Sequence, residues 1–251
     1  RGSAGADRRE DRPGYGGIGV LRRPVPHGWL YPERWKERKQ HMNQKIKTDG
    51  VLFDLDGTLW DASVPVAAGF QQAIDGHPEV KEAMTPEIMR ANMGRLLDEI
   101  LHHTYPYLTE EQVQSVLKDY LALGCGYIAE AGGRLFDGLE ATLKTLSARF
   151  PLFIVSNCQA GYIEAFFQAH GLQRYFKDYE HPGRTGKPKA ENNRLLVARN
   201  HLQHPVYVGD TMGDANAARE AGIPFIWASY GFGDVPQALR AAKIQSVTEL
   251  A

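Results

Sequence analysis

Four acidic residues stand where apolar runs stop, and acids in such places can attack, carry protons or hold metal. VLFDLD (residues 51–56) ends in Asp54 and Asp56, and PVYVGD (205–210) ends in Asp210, with Asp214 four residues later. Carboxylates gathered at one place repel, since two unit charges about 4 Å apart interact by roughly 4 kcal/mol even at an effective dielectric of 20. A divalent cation resolves that repulsion. Ligands that are all oxygen, with no histidine or thiolate, suit Mg²⁺, which keeps waters and takes substrate phosphate. Two further runs carry partners for an anion: PLFIVSN (151–157) ends in Ser156 and Asn157, and GRTGKPKA (183–190) presents Lys187 just before a helix. The Lys187 ammonium and the Ser156 hydroxyl would meet the anion's oxygens, helped by free N–H groups at helix starts.

Each feature also has a plainer role. Asp56-Gly57 is a turn signal. Ser156 and Asn157 suit a helix cap, Asp214 can complement a helix dipole, and Lys187 can be an ordinary solvated lysine. These roles serve one residue at a time, whereas a shared site would use all of them.

The elements that must bring the residues together alternate. After residue 138, LEATLKTLSARF reads as helix, PLFIVSN as strand, AGYIEAFFQAHG as helix, RYFKDYE as a short strand and KAENNRLLVARNH as helix. PVYVGD then reads as strand, GDANAAREAG as helix and PFIWASY as strand. Such alternation predicts an α/β fold, a Rossmann-like parallel sheet with helices on both faces, whose ligands bind beyond the carboxyl ends of the strands. VLFDLD is its first strand. Between it and the rest lies a helical stretch: Val66, Phe70 and Ile74 recur at helical spacing, TPEIMRANMGRLLDEILHH has an apolar side interrupted at Gly94, and Thr109 with Gln112 forms a capping-box signature. Three helices without a strand predict an inserted all-α subdomain. The expected domains are residues 50–60 and 136–251 for the core and 61–135 for that subdomain.

Residues 1–49 are rich in Gly, Pro and Arg with no sustained period, and are expected to be a disordered or non-native leader, with Met42 opening the compact run into the first strand. No apolar segment follows the arginine pairs at 8–9 and 22–23, which argues against a secretory or twin-arginine signal. The formal net charge of -1 gives no sign of a nucleic-acid partner. No apolar run approaches the roughly 18 residues that span a bilayer, so no membrane partner is expected. Cys125 and Cys158, the only cysteines, form neither a CxxC pair nor a zinc framework and read as free thiols in a reducing cytoplasm.

The order DLDGT, SN, GKP and GDTMGD is similar to the four motifs of the haloacid dehalogenase-like (HAD) phosphohydrolases. The likeness runs from about residue 50 to the end, and the helical insertion resembles that family's C1 cap. Within the family the chain resembles the phosphoglycolate phosphatase-like enzymes. The resemblance implies that Asp54 is a nucleophile forming an aspartyl-phosphate, and that Asp56 protonates the leaving oxygen and later activates water. It implies that Thr58 positions the loop, that Ser156 and Asn157 meet the substrate, and that Lys187 offsets charge on the nucleophile and the transferring group. Mg²⁺ would be held by Asp54, the backbone carbonyl of Asp56 and Asp210, with Asp214 completing or orienting the shell.

Dehalogenases and phosphonatases of this superfamily lack the second acid, so Asp56 favours phosphate esters or anhydrides. A sugar phosphomutase and a non-catalytic phosphate-binding protein remain open alternatives. A sizeable cap favours a small phosphorylated metabolite. Arg95, beside Gly94, stands where a cap loop can face the core and bind a substrate carboxylate or second phosphate. The expected state is monomer or homodimer.

Overall fold

The computed structural model describes residues 46–251. Short runs of β-branched and aromatic residues make the sheet: β1 (Gly50–Phe53), β4 (Leu152–Val155), β5 (Phe176–Glu180), β6 (Pro205–Gly209), β7 (Phe225–Ala228) and β8 (Ala242–Ile244). β1, β4 and β7 are buried at every residue, as strands covered on both faces must be. All neighbours run parallel in the order β5-β4-β1-β6-β7-β8. The chain first builds outward from β1 through β4 to β5, then crosses back to β6. This reversal puts the switch point, where open α/β sheets bind ligands, at the carboxyl ends of β1 and β6.

Helices α6 (Leu139–Ser147), α7 (Tyr162–His170), the single turn α8 (Pro182–Thr185), α9 (Lys189–Arg199) and α10 (Met212–Ala221) connect the strands. On one face Leu196 of α9 and Ala215 and Ala218 of α10 join Leu52, Phe153, Tyr207 and Phe225 in a buried cluster. On the other, where alternation points Phe53, its ring meets Phe176 at 6.4 Å, and Phe167 of α7 packs on Phe176 at 5.7 Å. The fold is therefore an α/β Rossmann-like sheet with helices on both faces.

The cap leaves and returns through a two-stranded antiparallel ribbon, β2 (Trp60–Asp61) with β3 (Arg134–Leu135). Between them lie α1 (Ser63–Ile74), α2 (Pro86–Asn92), α3 (Leu97–Thr104), α4 (Glu110–Ala122) and α5 (Gly126–Ala131). Thr85 caps α2, and Thr109 and Gln112 form the expected capping box of α4. The interruption expected at Gly94 is a real break, with φ +89° at that residue and α3 starting afresh at Leu97. Phe70 of α1 stacks on Tyr120 of α4 at 3.9 Å, and α5 packs against α7 of the core. The ribbon and α5 were absent from the sequence-based expectation.

The expectation for the leader falls on residues that, up to 45, lie outside the described ones. Thr48 and Asp49, at its expected end, are described. The Thr48 hydroxyl donates to the carbonyl of His204 (2.9 Å), and the Asp49 carboxylate accepts the N–H groups of Gln203 (2.6 Å) and His204 (2.9 Å), which ties this segment to the sheet. Both cysteines are free, and no helix among the described residues is long and apolar enough to cross a membrane.

Candidate active site

Asp54 follows β1 directly, its N–H donating to Val208 O at 2.8 Å and its side chain buried. The chain then turns at once. Gly57 has φ +79°, a region open to glycine at little cost, and a Cβ there would lie 2.2 Å from Asp210 Oδ2. The turn buries Asp56 and Thr58, whose hydroxyl reaches Asp210 Oδ1 at 3.4 Å.

Asp210, which follows β6, is fully buried. Its Oδ2 accepts the Phe232 N–H at 2.7 Å, and its carbonyl accepts the Trp227 indole N–H at 3.0 Å. Gly231 and Gly233 let the loop after β7 close on it, since a Cβ at Gly231 would lie 2.3 Å from Asp210 Cβ. Asp214 sits in the first turn of α10 in a capping box. Its Oδ2 accepts the Thr211 N–H (2.9 Å) and hydroxyl (2.7 Å), and its Oδ1 accepts Lys189 Nζ (2.8 Å).

Lys189 is the cation of the site. Its buried ammonium bridges Asp214 and Asp54 Oδ1, the latter at 2.9 Å. Burial works against its charge, but the two carboxylates outweigh burial and hold it protonated. Lys187, expected in this role, is instead half exposed, 3.7 Å from Glu191 on the surface. The helix begins only after Pro188, so Lys187 stays on the loop while Lys189 is the first helical residue. From there Lys189 shares the inward stripe of Asn192, Asn193 and Leu196. The spacings of three, four and seven from Lys189 to Asn192, Asn193 and Leu196 put it on the buried face, a signal of which the sequence displays only Leu196, since two asparagines do not announce burial.

Asp54, Asp210 and Asp214 each offer an oxygen within 4.8 Å of the others. Asp54 Oδ2 is buried with no hydrogen-bond partner. With one ammonium against three carboxylates, the cluster carries a formal charge of two negative, which a divalent cation would neutralise. In the protein alone, burial and then the Asp214 charge push Asp54 up to about 7, and the same two causes raise Asp210 well above the usual carboxylate range. Burial opposes ionisation of Asp214 too, but Lys189 and Thr211 hold it low. An oxygen-only, buried cluster with an orphaned carboxylate oxygen fits a hard cation.

Ser156 and Asn157 leave the end of β4. They do not cap α7, which starts at Tyr162 behind Gly161, so the plainer role weighed for them does not hold. Ser156 is buried and lines a cleft together with Asp54 and Asp56. Asn157 lines the same cleft and donates from Nδ2 to Gly94 O of the cap at 3.0 Å. The cleft's other wall is cap: Met89, Met93, Leu97 and Ile100, with Arg95 at its edge. Arg95 is exposed and makes no ion pair among the described residues. The structure thus gathers Asp54, Asp56, Thr58, Ser156, Asn157, Arg95, Asp210 and Asp214, and leaves Lys187 out.

Burial pushes Asp56 up to about 6, against the pull of a 2.8 Å hydrogen bond from the Tyr162 hydroxyl to its Oδ1. Tyr162, Lys189 and the Phe232 N–H were not foreseen. Tyr162 comes from a helix more than a hundred residues away, and no local pattern announces such a contact.

A family model described as haloacid dehalogenase-like hydrolase matches residues 51–228. A phosphoglycolate phosphatase of Yersinia pestis is 28% identical over 193 residues, covering 73% of this chain and 82% of that protein. A phosphoglycolate phosphatase of Escherichia coli (strain K12) is also 28% identical, over 222 residues, covering 76% and 85%. Among solved structures, a haloacid dehalogenase-like family hydrolase from Streptococcus pneumoniae superposes with a TM-score of 0.68 at 23% identity, covering 80% of this chain and 96% of that one.

Proposed function

The chain belongs to the haloacid dehalogenase-like hydrolase family, and we propose that it is a Mg²⁺-dependent phosphatase of a small phosphorylated metabolite, working through an aspartyl-phosphate on Asp54. The observation that carries this reading is the division of labour on Asp54. Oδ1 is tied to Lys189, Oδ2 is buried without a partner, and the carboxylate offers an oxygen within 4.8 Å of Asp210 and Asp214.

Asp54 attacks phosphorus as the ester P–O bond breaks, and Asp56 gives its proton to the departing oxygen. Asp56, now ionised, takes a proton from the water that displaces Asp54 and releases phosphate. Lys189 and the Ser156 hydroxyl stabilise charge on the nucleophile and the phosphoryl oxygens. Mg²⁺, held by Asp54, Asp210 and the Asp56 carbonyl, would supply the neutralising charge that lets an anionic nucleophile approach an anionic ester. Asp214, whose two oxygens are engaged by Lys189 and Thr211, acts by orienting those groups.

The cap supports a small substrate. Its loop bears down on the strand ends through Asn157 and Gly94, leaving an apolar wall and, among the described residues lining it, one cation, Arg95, for a carboxylate or second phosphate. Phosphoglycolate, in the names of the Yersinia and Escherichia relatives, is the first ester to try. We assign the reaction to the cytoplasm, where Cys125 and Cys158 stay thiols.

The test is phosphate release from p-nitrophenyl phosphate and a panel of phosphoglycolate, ethyl phosphate, pyrophosphate and nucleotides, with and without Mg²⁺. Release that needs Mg²⁺ and vanishes in Asp54→Asn is expected. No release by folded, Mg²⁺-loaded protein overturns the reading.

A further inference from the structure

We propose that Tyr162 is a positioning residue for proton transfer, its hydroxyl holding Asp56 so that one carboxyl oxygen is committed to the protein and the other to the substrate. The inference rests on the phosphatase reading and adds to it a residue outside the motif positions.

An acid that first protonates a leaving oxygen and then deprotonates a water must present the same oxygen twice to nearly the same point. Left to itself an aspartate does this poorly, because rotation about its last bond is broad and nearly two-fold. Lys189 gives no help, since its hydrogen bonds go to Asp54 and Asp214. Among the described residues the Tyr162 hydroxyl makes the one well-formed side-chain hydrogen bond to Asp56, at 2.8 Å to Oδ1, while the Trp60 indole N–H acts on the carboxylate less closely and in the same direction. A phenol is protonated throughout the neutral range, so it donates, and Oδ1 is taken. Proton traffic falls to Oδ2. In the first step the Oδ2 proton moves to the ester oxygen as its bond to phosphorus breaks and the Asp54 O–P bond forms. In the second, Oδ2 takes a proton from water as the water oxygen bonds phosphorus and the Asp54 O–P bond breaks.

The phenol is itself held. Tyr162 is the first residue of α7, and Gly161 at φ +88° turns the chain into that helix. Its buried ring meets Trp60 edge-on at 5.8 Å, and Trp60 in turn meets Phe166 at 5.0 Å. Trp60 lies on the turn that carries Asp56, joined to it by the bridge between the two residues and by the hydrogen bond from Gly57 N to Trp60 O (2.8 Å). Ring packing and hydroxyl thus fix the acid against its own loop.

Tyr162→Phe keeps the packing and deletes only the hydroxyl. The leaving group makes the effect selective. p-Nitrophenolate departs as a stable anion and gains little from an acid, whereas an alkoxide needs the proton. Acid assistance is worth roughly 10²- to 10⁴-fold, and a misaligned acid forfeits part of it. We expect kcat/KM for the best alkyl ester of the panel to fall about tenfold further than kcat/KM for p-nitrophenyl phosphate. This ratio is independent of the folded fraction, because misfolding lowers both rates alike. In an Asp56→Asn background the same substitution should leave the ratio unmoved. Equal losses on both esters, no loss on either, or an undiminished shift without Asp56 overturn the inference while the phosphatase reading stands. Wild-type protein inert on every ester overturns both.

Discussion

Replacing Lys189 by methionine tests which lysine serves the site. The ammonium lies 2.9 Å from Asp54 and 2.8 Å from Asp214, and all three groups are buried. Each contact is worth about 6 kcal/mol of attraction at an effective dielectric of 20. Much of that is offset by the cost of burying the charges, and breaking such a pair from one side leaves a net loss of about 3–5 kcal/mol. Stability should fall by that amount without metal. Because the cluster becomes more negative, Mg²⁺ should raise the melting temperature more in the variant than in the wild type. In the proposed reaction turnover loses a charge aimed at Asp54 and the phosphoryl group, an effect of roughly 10²- to 10³-fold in kcat. The paired experiment is Lys187→Ala. Its ion pair is long and half exposed on both sides, 3.7 Å with 47% and 48% exposure, so its removal should cost under about 1 kcal/mol and leave kcat/KM within about twofold. Steady-state kinetics on p-nitrophenyl phosphate and thermal melts with and without Mg²⁺ read all four quantities. If Lys187→Ala abolishes turnover and Lys189→Met retains it, the reasoning is wrong.

Two other outcomes are expected elsewhere. Gly231→Ala drives a Cβ to 2.3 Å from Asp210 Cβ and 2.4 Å from the Gly57 carbonyl, so it should cost about 1–3 kcal/mol of stability and remove Mg²⁺-dependent stabilisation; a melt that still shifts fully with Mg²⁺ would contradict this. His77 is pulled down by burial but raised on balance by hydrogen bonds to Asp119 (2.9 Å) and Glu79 (3.1 Å). Its contribution is therefore complete below its ordinary value of about 6.5 and fades as pH rises through the higher folded value. The gap in melting temperature between wild type and His77→Gln should be wider at pH 5.5 than at pH 9, and a gap that widens toward alkaline pH would show the sign to be wrong.

Asp54 and Asp210 were legible because each stands at the end of an uninterrupted apolar run, which sequence displays directly: VLF before the one, VYVG before the other. The break at Gly94 and the cap of α4 were legible for the same local reason. Lys187 lies off the cluster because helical register decides which lysine of GKPKA turns inward, and register depends on where α9 begins, a matter of Pro188. Tyr162 and the Phe232 N–H were not legible because their partners, Asp56 and Asp210, are brought near only by the assembled sheet. The ribbon of Trp60–Asp61 with Arg134–Leu135 has two residues on each side, too few for any alternation to register.

That ribbon also makes the cap exchangeable. Pairing Trp60 with Leu135 and Asp61 with Arg134 brings the two ends of the helical excursion to the spacing of neighbouring strands, about 5 Å. A short turn can close the same gap. Closure entropy grows only with the logarithm of loop length, about 0.6 kcal/mol per doubling, so the core is nearly indifferent to how much chain is spliced in at this point. The acids and the lysine stand at strand ends and helix starts of the core, whereas Arg95 and the apolar wall ride on the excursion. Grafting a different helical insert between residues 61 and 134 would change what is recognised while leaving the means of cleaving it in place.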